Sequence, residues 1–391
     1  MPSRPTARAL RFVAAAAVPA ALIAAASFAA TPAKLEVVAS NLNNPRKLFV
    51  GPDRALYVVE AGTGGRDKCL GSGSARTCIG LTGSITRVAN GARKRVVTGL
   101  WSGAPLNGRR AEGPADVLVR RGTYYVLLEN GAINTRGFNS LGPDGATAGD
   151  LVATPPGKAA PAVIFNFAAF EAKNNPDHGR GSGARFSNPP IDSNPYAFTS
   201  YRGGYAVVDA AGNDLLLVGQ NGKVSVLAVF PTQTLSLPRE IGKQIGAPPS
   251  MRSIIVQSVP SCVAVGPDGA LYVGELTGVP FAPGSAHVWR VVPGRKPEVY
   301  ASGFTTISDL AFDGRDLLVL ELTTKGVLSG KSPGALIRVS PRRVKTVVAA
   351  TGLVYPTGLA VDGRSIYISN YGLYPATGAG PHGEVVRLAR A

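Results

Sequence analysis

Short apolar segments alternate with turns rich in Asp, Gly and Pro along almost the whole chain after residue 34. One unit recurs in this pattern: an apolar strand, a tight turn such as GPDG or DGR, and a second apolar strand. Such turns favour β-hairpins because Gly and Asp tolerate the positive φ that hairpin turns require. Six copies are recognisable, four of them clear and two degenerate: 45–60, 260–275, 308–321, 356–370, 114–129 and 195–209.

A third strand follows each hairpin, and a fourth strand follows five of the six. The third strands are predicted at 83–88, 149–154, 213–218, 287–291, 334–339 and 383–388. The fourth strands are predicted at 95–100, 162–167, 224–230, 298–304 and 345–353. The sixth copy lacks a fourth strand, but LEVVASNL at 35–42 is similar to KTVVAATGL at 345–353. We therefore predict an all-β, six-bladed β-propeller with four-stranded blades, closed by the N-terminal strand as the outer strand of the last blade. A β-sandwich would not show this six-fold repeat.

Four connections are longer than the repeat needs, and the propeller topology brings all of them to one face. Two join second to third strands, at 61–82 and 130–148, and two join neighbouring blades, at 168–194 and 231–258. Loops gathered on one face of a rigid scaffold commonly form a binding surface. We therefore expect ligands to bind on this loop-rich face.

The N-terminal segment has the three parts of a secretory signal peptide. Three arginines precede an apolar run at 12–28, and small residues follow at the expected cleavage site. A membrane anchor is the weaker interpretation because Pro19 interrupts an Ala-rich run. We predict a signal peptide at 1–29 and a single propeller domain at 30–391. The mature protein would be secreted, or located in the periplasm or cell envelope, with no membrane span after cleavage.

Export would place the cysteines in an oxidising compartment. Cys69 and Cys78 lie nine residues apart in a Gly- and Ser-rich stretch that we interpret as one loop. We predict a disulfide between them. Cys262 lies in an apolar strand and is predicted to be a buried thiol.

The composition excludes several classes of protein. The 391 residues are 45% hydrophobic and only 17% charged, which argues against disorder and against a coiled coil. The 41 Lys and Arg outnumber the 24 Asp and Glu, for a net charge of +17. These basic residues are dispersed, so specific nucleic-acid binding is not expected, whereas attraction to anionic polymers is. We predict a monomer whose partner is a small molecule of unknown identity or an anionic cell-envelope polymer.

A polar residue ends each predicted second strand, and five of these six residues are acids. The six are Glu60, Glu129, Asp209, Glu275, Glu321 and Asn370. Equivalent positions in a propeller surround its axis, so these carboxylates would repel one another unless cations or hydrogen-bond donors intervene. We favour an interpretation in which each acid accepts backbone N–H bonds from an adjacent blade. The alternative is a Ca²⁺ site formed by the five acids, since Ca²⁺ prefers oxygen ligands. Apart from that Ca²⁺, no cofactor is expected.

Other candidate chemistry is sparse. HExxH, CxxC and Walker motifs are absent from the sequence. His178 and His382 lie in predicted loops of the loop-rich face, where either could act as an acid or base, although solvated loop residues are the simpler interpretation. His287 is expected at the surface of a third strand. Three aromatic residues in predicted loops could stack on a ring-shaped ligand: Trp101, Tyr371 and Tyr374.

Several strings resemble the ScyD/ScyE family of exported six-bladed propellers, named for members encoded with scytonemin-pigment biosynthesis. They are the opening segment 35–65 with the Cys pair that follows it, FEAKNNPD at 170–177, DSNPY at 192–196, DAAGNDLLLV at 209–218 and 266–291. The resemblance covers nearly the whole mature chain and implies a propeller with repeats like those of NHL and SMP-30 proteins. It also implies export, but it supplies no catalytic motif.

Two functional hypotheses remain, and the first is favoured. The first is a non-catalytic binding or scaffold protein with its ligand on the loop-rich face. The second is a Ca²⁺-dependent lactonase or ester hydrolase that uses the acidic ring at the axis. A quinone-dependent sugar dehydrogenase also fits the fold, but no His lies on a predicted first or second strand.

Overall fold

The computed structural model describes residues 34–71, 73, 76–130, 145–158, 161–179, 191–220, 222–330, 332–376 and 382–389. These residues belong to one compact unit that spans Pro32–Ala391. The predicted signal peptide at 1–29 and most of the 130–148 insertion lie outside the described residues. Among the residues that are described, no helix has the length and apolar character needed to cross a bilayer.

Each of the first three blades is an antiparallel sheet whose strands follow one another from the axis outward. Blade 1 contains β2 (Pro45–Val50), β3 (Leu56–Glu60), β5 (Thr77–Ala89) and β6 (Ala92–Ala104). Blade 2 contains β7 (Pro114–Arg120), β8 (Thr123–Leu128), β9 (Asp150–Thr154) and β11 (Ala162–Asn166). Blade 3 contains β12 (Pro195–Tyr201), β13 (Gly204–Asp209), β14 (Asp214–Val218) and β15 (Val224–Val229). Blade 1 also gains two short strands, β4 (Lys68–Leu70) beside β5 and β10 (Gly157–Lys158) beside β6.

The other three blades repeat the same arrangement and complete the ring. Blade 4 contains β18 (Pro260–Val265), β19 (Leu271–Glu275), β20 (Ala286–Val291) and β21 (Glu298–Phe304). Blade 5 contains β22 (Ile307–Asp313), β23 (Asp316–Glu321), β24 (Ala335–Val339) and β25 (Lys345–Ala349). Blade 6 contains β26 (Gly358–Asp362), β27 (Ser365–Asn370), β28 (Gly383–Ala389) and β1 (Leu35–Leu42). The predicted six-bladed β-propeller is therefore confirmed.

The N-terminal strand closes the ring, as the count of fourth strands predicted. β1 pairs with β28 in antiparallel register, with Leu35 opposite Leu388 and Val37 opposite Val386. This pairing places the first described strand at the outer edge of the last blade.

The repeated hairpin turn explains why the strand pairs form where they do. In blade 4 the GPDG turn ends at Gly269, which has a φ of 74°. Glycine adopts such a positive φ without steric cost because it has no Cβ atom. The corresponding turn of blade 1 ends at Arg54, with a φ of 58°. Arg54 also bonds Asp362 of the neighbouring blade at 2.9 Å. The turn geometry is therefore retained even where the sequence departs from glycine.

The hydrophobic core lies between the blades. Six clusters of buried apolar side chains each join two neighbouring blades. In β23, for example, Leu317 and Val319 pack towards blade 4, whereas Leu318 and Leu320 pack towards blade 6. Both faces of such a strand are buried, which explains why the second strands are almost continuously apolar.

Polar side chains on the first strands also tie the blades together near the axis. Asp116 of blade 2 accepts the Phe198 N–H of blade 3 at 2.9 Å. Asp309 of blade 5 accepts the Leu359 N–H of blade 6 at 2.7 Å, and the Lys47 ammonium of blade 1 lies 2.9 Å from the same carboxylate. The two N–H bonds join neighbouring blades, whereas the Lys47–Asp309 pair connects blades 1 and 5, which are not adjacent in the ring.

The long insertions contain the remaining elements. The connection after blade 2 holds α1 (Phe167–Asn174), which begins where Asn166 accepts the Ala169 N–H at 2.6 Å. The connection after blade 3 holds the hairpin of β16 (Gln233–Ser236) and β17 (Ser253–Val256), with α2 (Arg239–Gln244) between them. A 3₁₀ helix, Val327–Ser329, lies in the long loop of blade 5.

The disulfide between Cys69 and Cys78 is confirmed. The two residues do not share one loop, as the sequence analysis expected. Instead they lie opposite each other on the paired strands β4 and β5. Cys262 is a free, fully buried thiol, also as predicted.

Candidate functional site

The residues that end the second strands occupy equivalent positions in all six blades. They are Glu60, Glu129, Asp209, Glu275, Glu321 and Asn370, each at the last residue of its strand or one residue beyond. All six are buried, with no more than 5% of any residue exposed. Each lies where its second strand reaches the loop-rich face. We call this set the acidic ring.

Most side chains of the acidic ring accept a hydrogen bond from a backbone N–H group. In five blades, the side chain accepts an N–H from the connection that enters the same blade. The donor–acceptor pairs are Asn43–Glu60, Gly113–Glu129, Asn194–Asp209, Thr305–Glu321 and Val354–Asn370, at 2.7–3.0 Å. In blade 4 the hydroxyl of Ser258 donates to Glu275 instead. The sequence analysis expected backbone donors from a strand of the adjacent blade, but the donors found lie in the connections between blades. The acidic ring therefore fixes the connection that leads into each blade.

Side-chain partners occupy further oxygens of the ring. The Arg95 guanidinium bonds Glu60 at 2.9 Å, and the Trp289 indole N–H donates to Glu275 at 2.9 Å. Glu129 faces Arg46 at 3.5 Å. Burial nevertheless raises the pKa of Glu129 to about 7, although Arg46 acts in the opposite direction.

These contacts do not fit a metal centre formed by the acidic ring. The carboxylates are spread over separate blades and are engaged by N–H and O–H donors rather than directed at a common point. Among the residues that the structure describes, no three His, Cys, Asp or Glu side chains are placed to hold a metal ion together. The donor set of the ring instead fits a structural role.

The candidate histidines lie apart from one another. His178 is exposed in a turn that follows α1. His382 is half-buried, with its Nδ1 3.1 Å from the carbonyl oxygen of Pro375. His287, which was expected at the surface, is half-buried, and its Nδ1 contacts the Glu275 carboxylate. That contact makes His287 a partner of the acidic ring.

The candidate aromatic residues divide into two groups. Trp101 belongs to β6 rather than to a loop and is only 1% exposed, so it cannot stack on a ligand. Tyr371 and Tyr374 do lie in a loop, and both line a cavity on the loop-rich face. The cavity brings in a third aromatic residue, Tyr355.

This cavity has a volume of about 750 Å³ and lies where blades 5 and 6 meet. The connection between these blades, residues 350–355, forms one wall. Pro333 and Tyr371 contribute from the loops between second and third strands, and Arg109 contributes from the connection between blades 1 and 2. Its volume lies within the range of small-molecule sites. We call this space the tyrosine cavity.

The described lining of the tyrosine cavity combines aromatic surface with one positively charged side chain. The ring of Tyr374 lies 6.2 Å from that of Tyr355 and 6.0 Å from that of Tyr371, centre to centre. The Arg109 guanidinium lies over Tyr374, 4.6 Å from the ring centre. No Asp or Glu is among the described residues that line the cavity. The site therefore offers stacking surfaces and a cationic donor without a competing carboxylate.

Tyr355 and the role of Arg109 were not predicted from the sequence. Tyr355 follows the last strand of blade 5 directly before Pro356, and its hydroxyl donates to the Gly330 carbonyl at 3.0 Å. Tyr355 could have been proposed from the sequence as a ligand-stacking residue, because it is aromatic and lies in a predicted connection between blades. The role of Arg109 could not be predicted from the sequence, because Arg109 and Tyr374 lie in loops near opposite ends of the chain's repeats.

Comparison with known proteins extends only to the fold. No family model matches the chain, and no curated protein matches it. Among solved structures, the chain is similar to the PQQ-bound aldose sugar dehydrogenase from Streptomyces coelicolor, with 14% identity, a TM-score of 0.50, and 92% of this chain and 99% of that one covered.

Two further structures illustrate the same likeness. A calcium-binding regucalcin from Agrobacterium tumefaciens is 9% identical over 91% of this chain and 94% of that one, with a TM-score of 0.49. A gluconolactonase-family structure is 10% identical over 92% and 93%, with a TM-score of 0.40. Of these three likenesses, only that to the aldose sugar dehydrogenase, at 14% identity, supports the propeller fold, and it shows the fold alone.

Proposed function

We propose that this protein is an exported propeller of the ScyD/ScyE type that binds a small ligand in the tyrosine cavity. Export is inferred from the N-terminal segment, and the family from the strings at 35–65, 170–177, 192–196 and 209–218. The binding role is carried by one observation, the cavity of about 750 Å³ on the loop-rich face.

The lining of the cavity supports a planar, anionic ligand. Tyrosine rings provide flat apolar surfaces on which a ring can stack. Arg109 has no ion pair among the described residues, and its guanidinium can bond a carboxylate or phosphate in a bidentate manner. A cationic ligand would find no acid among the lining residues that the structure describes. A neutral sugar would find few of the carboxylates and amides that bind its hydroxyl groups.

The alternative, a Ca²⁺-dependent lactonase or ester hydrolase, is less well supported. It requires acidic-ring carboxylates that are free to hold a metal. Glu60 and Asp209, for example, each accept several hydrogen bonds from the protein itself. These contacts favour a structural role for the ring, and a binding protein is the better conclusion.

The test is a binding screen with three matched sets of probes: aromatic carboxylates, the corresponding aromatic amines, and neutral monosaccharides. Saturation-transfer NMR would detect weak binding to the purified protein. We expect the aromatic carboxylates to bind and the other two sets to bind at least tenfold more weakly.

Variants then assign the binding to the cavity. Arg109→Ala and Tyr374→Ala should each weaken carboxylate binding about tenfold, consistent with the loss of a charged hydrogen bond or a stacking partner. Arg120→Ala removes the same charge at the end of β7, on the opposite face, and serves as the control. Binding that survives unchanged in Arg109→Ala and Tyr374→Ala would contradict the proposal.

A further inference from the structure

Asp214 is buried without a partner at the start of β14. It is fully inaccessible to solvent, and neither of its carboxylate oxygens has a hydrogen-bond partner among the described residues. A buried carboxylate in this condition is strongly unfavourable, because it has lost its hydration without gaining a donor or a counter-ion. Some group that neutralises Asp214 is therefore required.

The surroundings of Asp214 are acidic. Glu171 projects from α1, Asp177 follows that helix, and Asp209 ends β13; all three are buried. Burial raises the pKa of Asp214 well above its ordinary value, and the nearby charges of these three acids raise it further. Burial likewise raises the pKa of Glu171 to about 8, and neighbouring acids add to the shift. Among the residues that the structure describes, no basic side chain opposes either shift.

Two of the four carboxylates are already satisfied. Asp209 accepts three backbone N–H bonds and the Ser193 hydroxyl. Asp177 accepts the Gly179 N–H at 2.7 Å and the Asn213 amide at 2.8 Å. Asp214 and Glu171 are the two that no described group engages. They lie on different segments, the helix after blade 2 and the third strand of blade 3.

The neighbouring blade provides an internal comparison. Asp150 begins β9, the third strand of blade 2, and so corresponds to Asp214 in β14. It is also buried, with one oxygen unpartnered, but burial alone raises its pKa, to about 7. The acidic surroundings are therefore specific to Asp214 and do not come with the position in the repeat.

We propose that Asp214 and Glu171 bind a hard divalent cation, such as Ca²⁺, where α1 packs against β14. A cation would neutralise both carboxylates and satisfy the oxygens of Asp214. A proton is the competing way to neutralise Asp214, alone or shared with Glu171, and the pH dependence of the Ca²⁺ response distinguishes it from a bound cation. Among the described residues, no three His, Cys, Asp or Glu side chains are placed to hold an ion together, so these two carboxylates would be its only acidic ligands. Ca²⁺ can complete its shell with carbonyl, amide and water oxygens.

The sequence segments involved are consistent with a site assembled by the fold. Glu171 and Asp177 come from FEAKNNPD at 170–177, and Asp214 from DAAGNDLLLV at 209–218. These are two of the strings on which the resemblance to the ScyD/ScyE family depends. Neither string by itself has the ligand spacing of a calcium-binding loop, so the proposed site exists only once α1 packs against blade 3.

The test uses the purified full-length protein after chelator treatment, titrated with CaCl₂ or MgCl₂ alone. We expect one Ca²⁺ to bind per chain by calorimetry. The melting temperature should rise by about 3–6 °C at a hundredfold excess over the Kd, because the ion binds only the folded state. Mg²⁺ should have a smaller effect, since it demands stricter geometry.

Asp214→Asn and Glu171→Gln should each abolish the Ca²⁺-dependent shift. Both substitutions preserve the side-chain shape and remove a charge that makes no bond, so the variants should fold. Asp150→Asn is the matched control and should retain the full shift. A shift that persists in Asp214→Asn would place the ion elsewhere and overturn the proposal. A melting temperature insensitive to Ca²⁺ from pH 6 to 9, with Asp214→Asn more stable than the native protein, would show that protons neutralise the cluster instead.

Discussion

Leu35 lies opposite Leu388 in the antiparallel pair of β1 and β28, so strands from opposite ends of the described chain form the edge of one blade. Behind this edge, Leu42 and Ala39 of β1 are buried in the cluster that joins blade 6 to blade 1. Closure therefore contributes hydrogen bonds and apolar burial together. In the absence of β1, the edge of β28 would be open and that interface incomplete.

A chain that begins at Asn43 should be much less stable than one that begins at Lys34. We expect a loss of about 5 kcal/mol or more in the free energy of unfolding, because Leu42 alone is a fully buried leucine. Aggregation should also increase through the exposed strand edge. Urea denaturation and light scattering would measure both effects. Equal unfolding midpoints for the two chains would contradict closure by β1.

Glu60→Gln should destabilise the protein whether or not Ca²⁺ is present. The substitution removes the charge that receives the Asn43 N–H and the Arg95 guanidinium, for an expected loss of about 1–3 kcal/mol. Glu298→Gln, on the exposed first residue of β21, should change stability by less than about 0.5 kcal/mol. Chemical denaturation with and without chelator measures both. If the cost of Glu60→Gln appeared only in the presence of Ca²⁺, the acidic ring would be a metal site after all.

Asp150→Asn should flatten the dependence of stability on pH between pH 5 and 8. Burial raises the pKa of Asp150 to about 7 in the folded state, so the folded protein holds this proton more tightly than the unfolded chain does. Its contribution is most favourable below the unfolded pKa, near 4, and is lost as the pH rises towards 7. The variant should therefore gain about 1–4 kcal/mol over the native protein at pH 8.

Urea denaturation at several pH values measures this slope, with Asp53→Asn as the control. Slight burial acts to raise the pKa of Asp53, but the hydrogen bonds from Arg87, the Ala55 N–H and Tyr57 together lower it below its ordinary value. Asp53 therefore titrates below the tested range, and its substitution should leave the slope unchanged. An unaltered slope in Asp150→Asn would show that the buried carboxylate is neutralised in some other way.

The paired variant Cys69→Ser with Cys78→Ser should lower the free energy of unfolding by about 2–3 kcal/mol, on the chain-entropy account of a short closed loop. Alkylation of the unfolded, unreduced native protein should label one thiol per chain, at Cys262, because Cys69 and Cys78 are joined. Intact mass would count the labels. Three labels would mean that the protein does not form this disulfide.

The sequence by itself determined the architecture. The hairpins at 45–60 and 260–275 contain their own turn residues, and strands such as β23 are apolar throughout because both of their faces are buried. Each of these features can therefore be recognised from a few consecutive residues. The number of blades and the closing role of β1 followed from counting these local units. The disulfide followed from two cysteines and the expectation of export. Such features depend on neighbours in the chain, which a sequence displays directly.

Only the tertiary structure decided what the side chains do. The sequence placed the acidic ring correctly, yet it assigned the backbone donors to an adjacent blade, because hydrogen-bond direction depends on how each connection enters its blade. It also placed Trp101 in a loop, although β6 extends to Ala104 and buries it. Arg109 reaches Tyr374, and the charge of Glu171 raises the pKa of Asp214, only because ring closure and the packing of α1 bring distant connections together. Neither relationship leaves a periodic pattern in the sequence, because each involves a connecting segment that is not repeated from blade to blade.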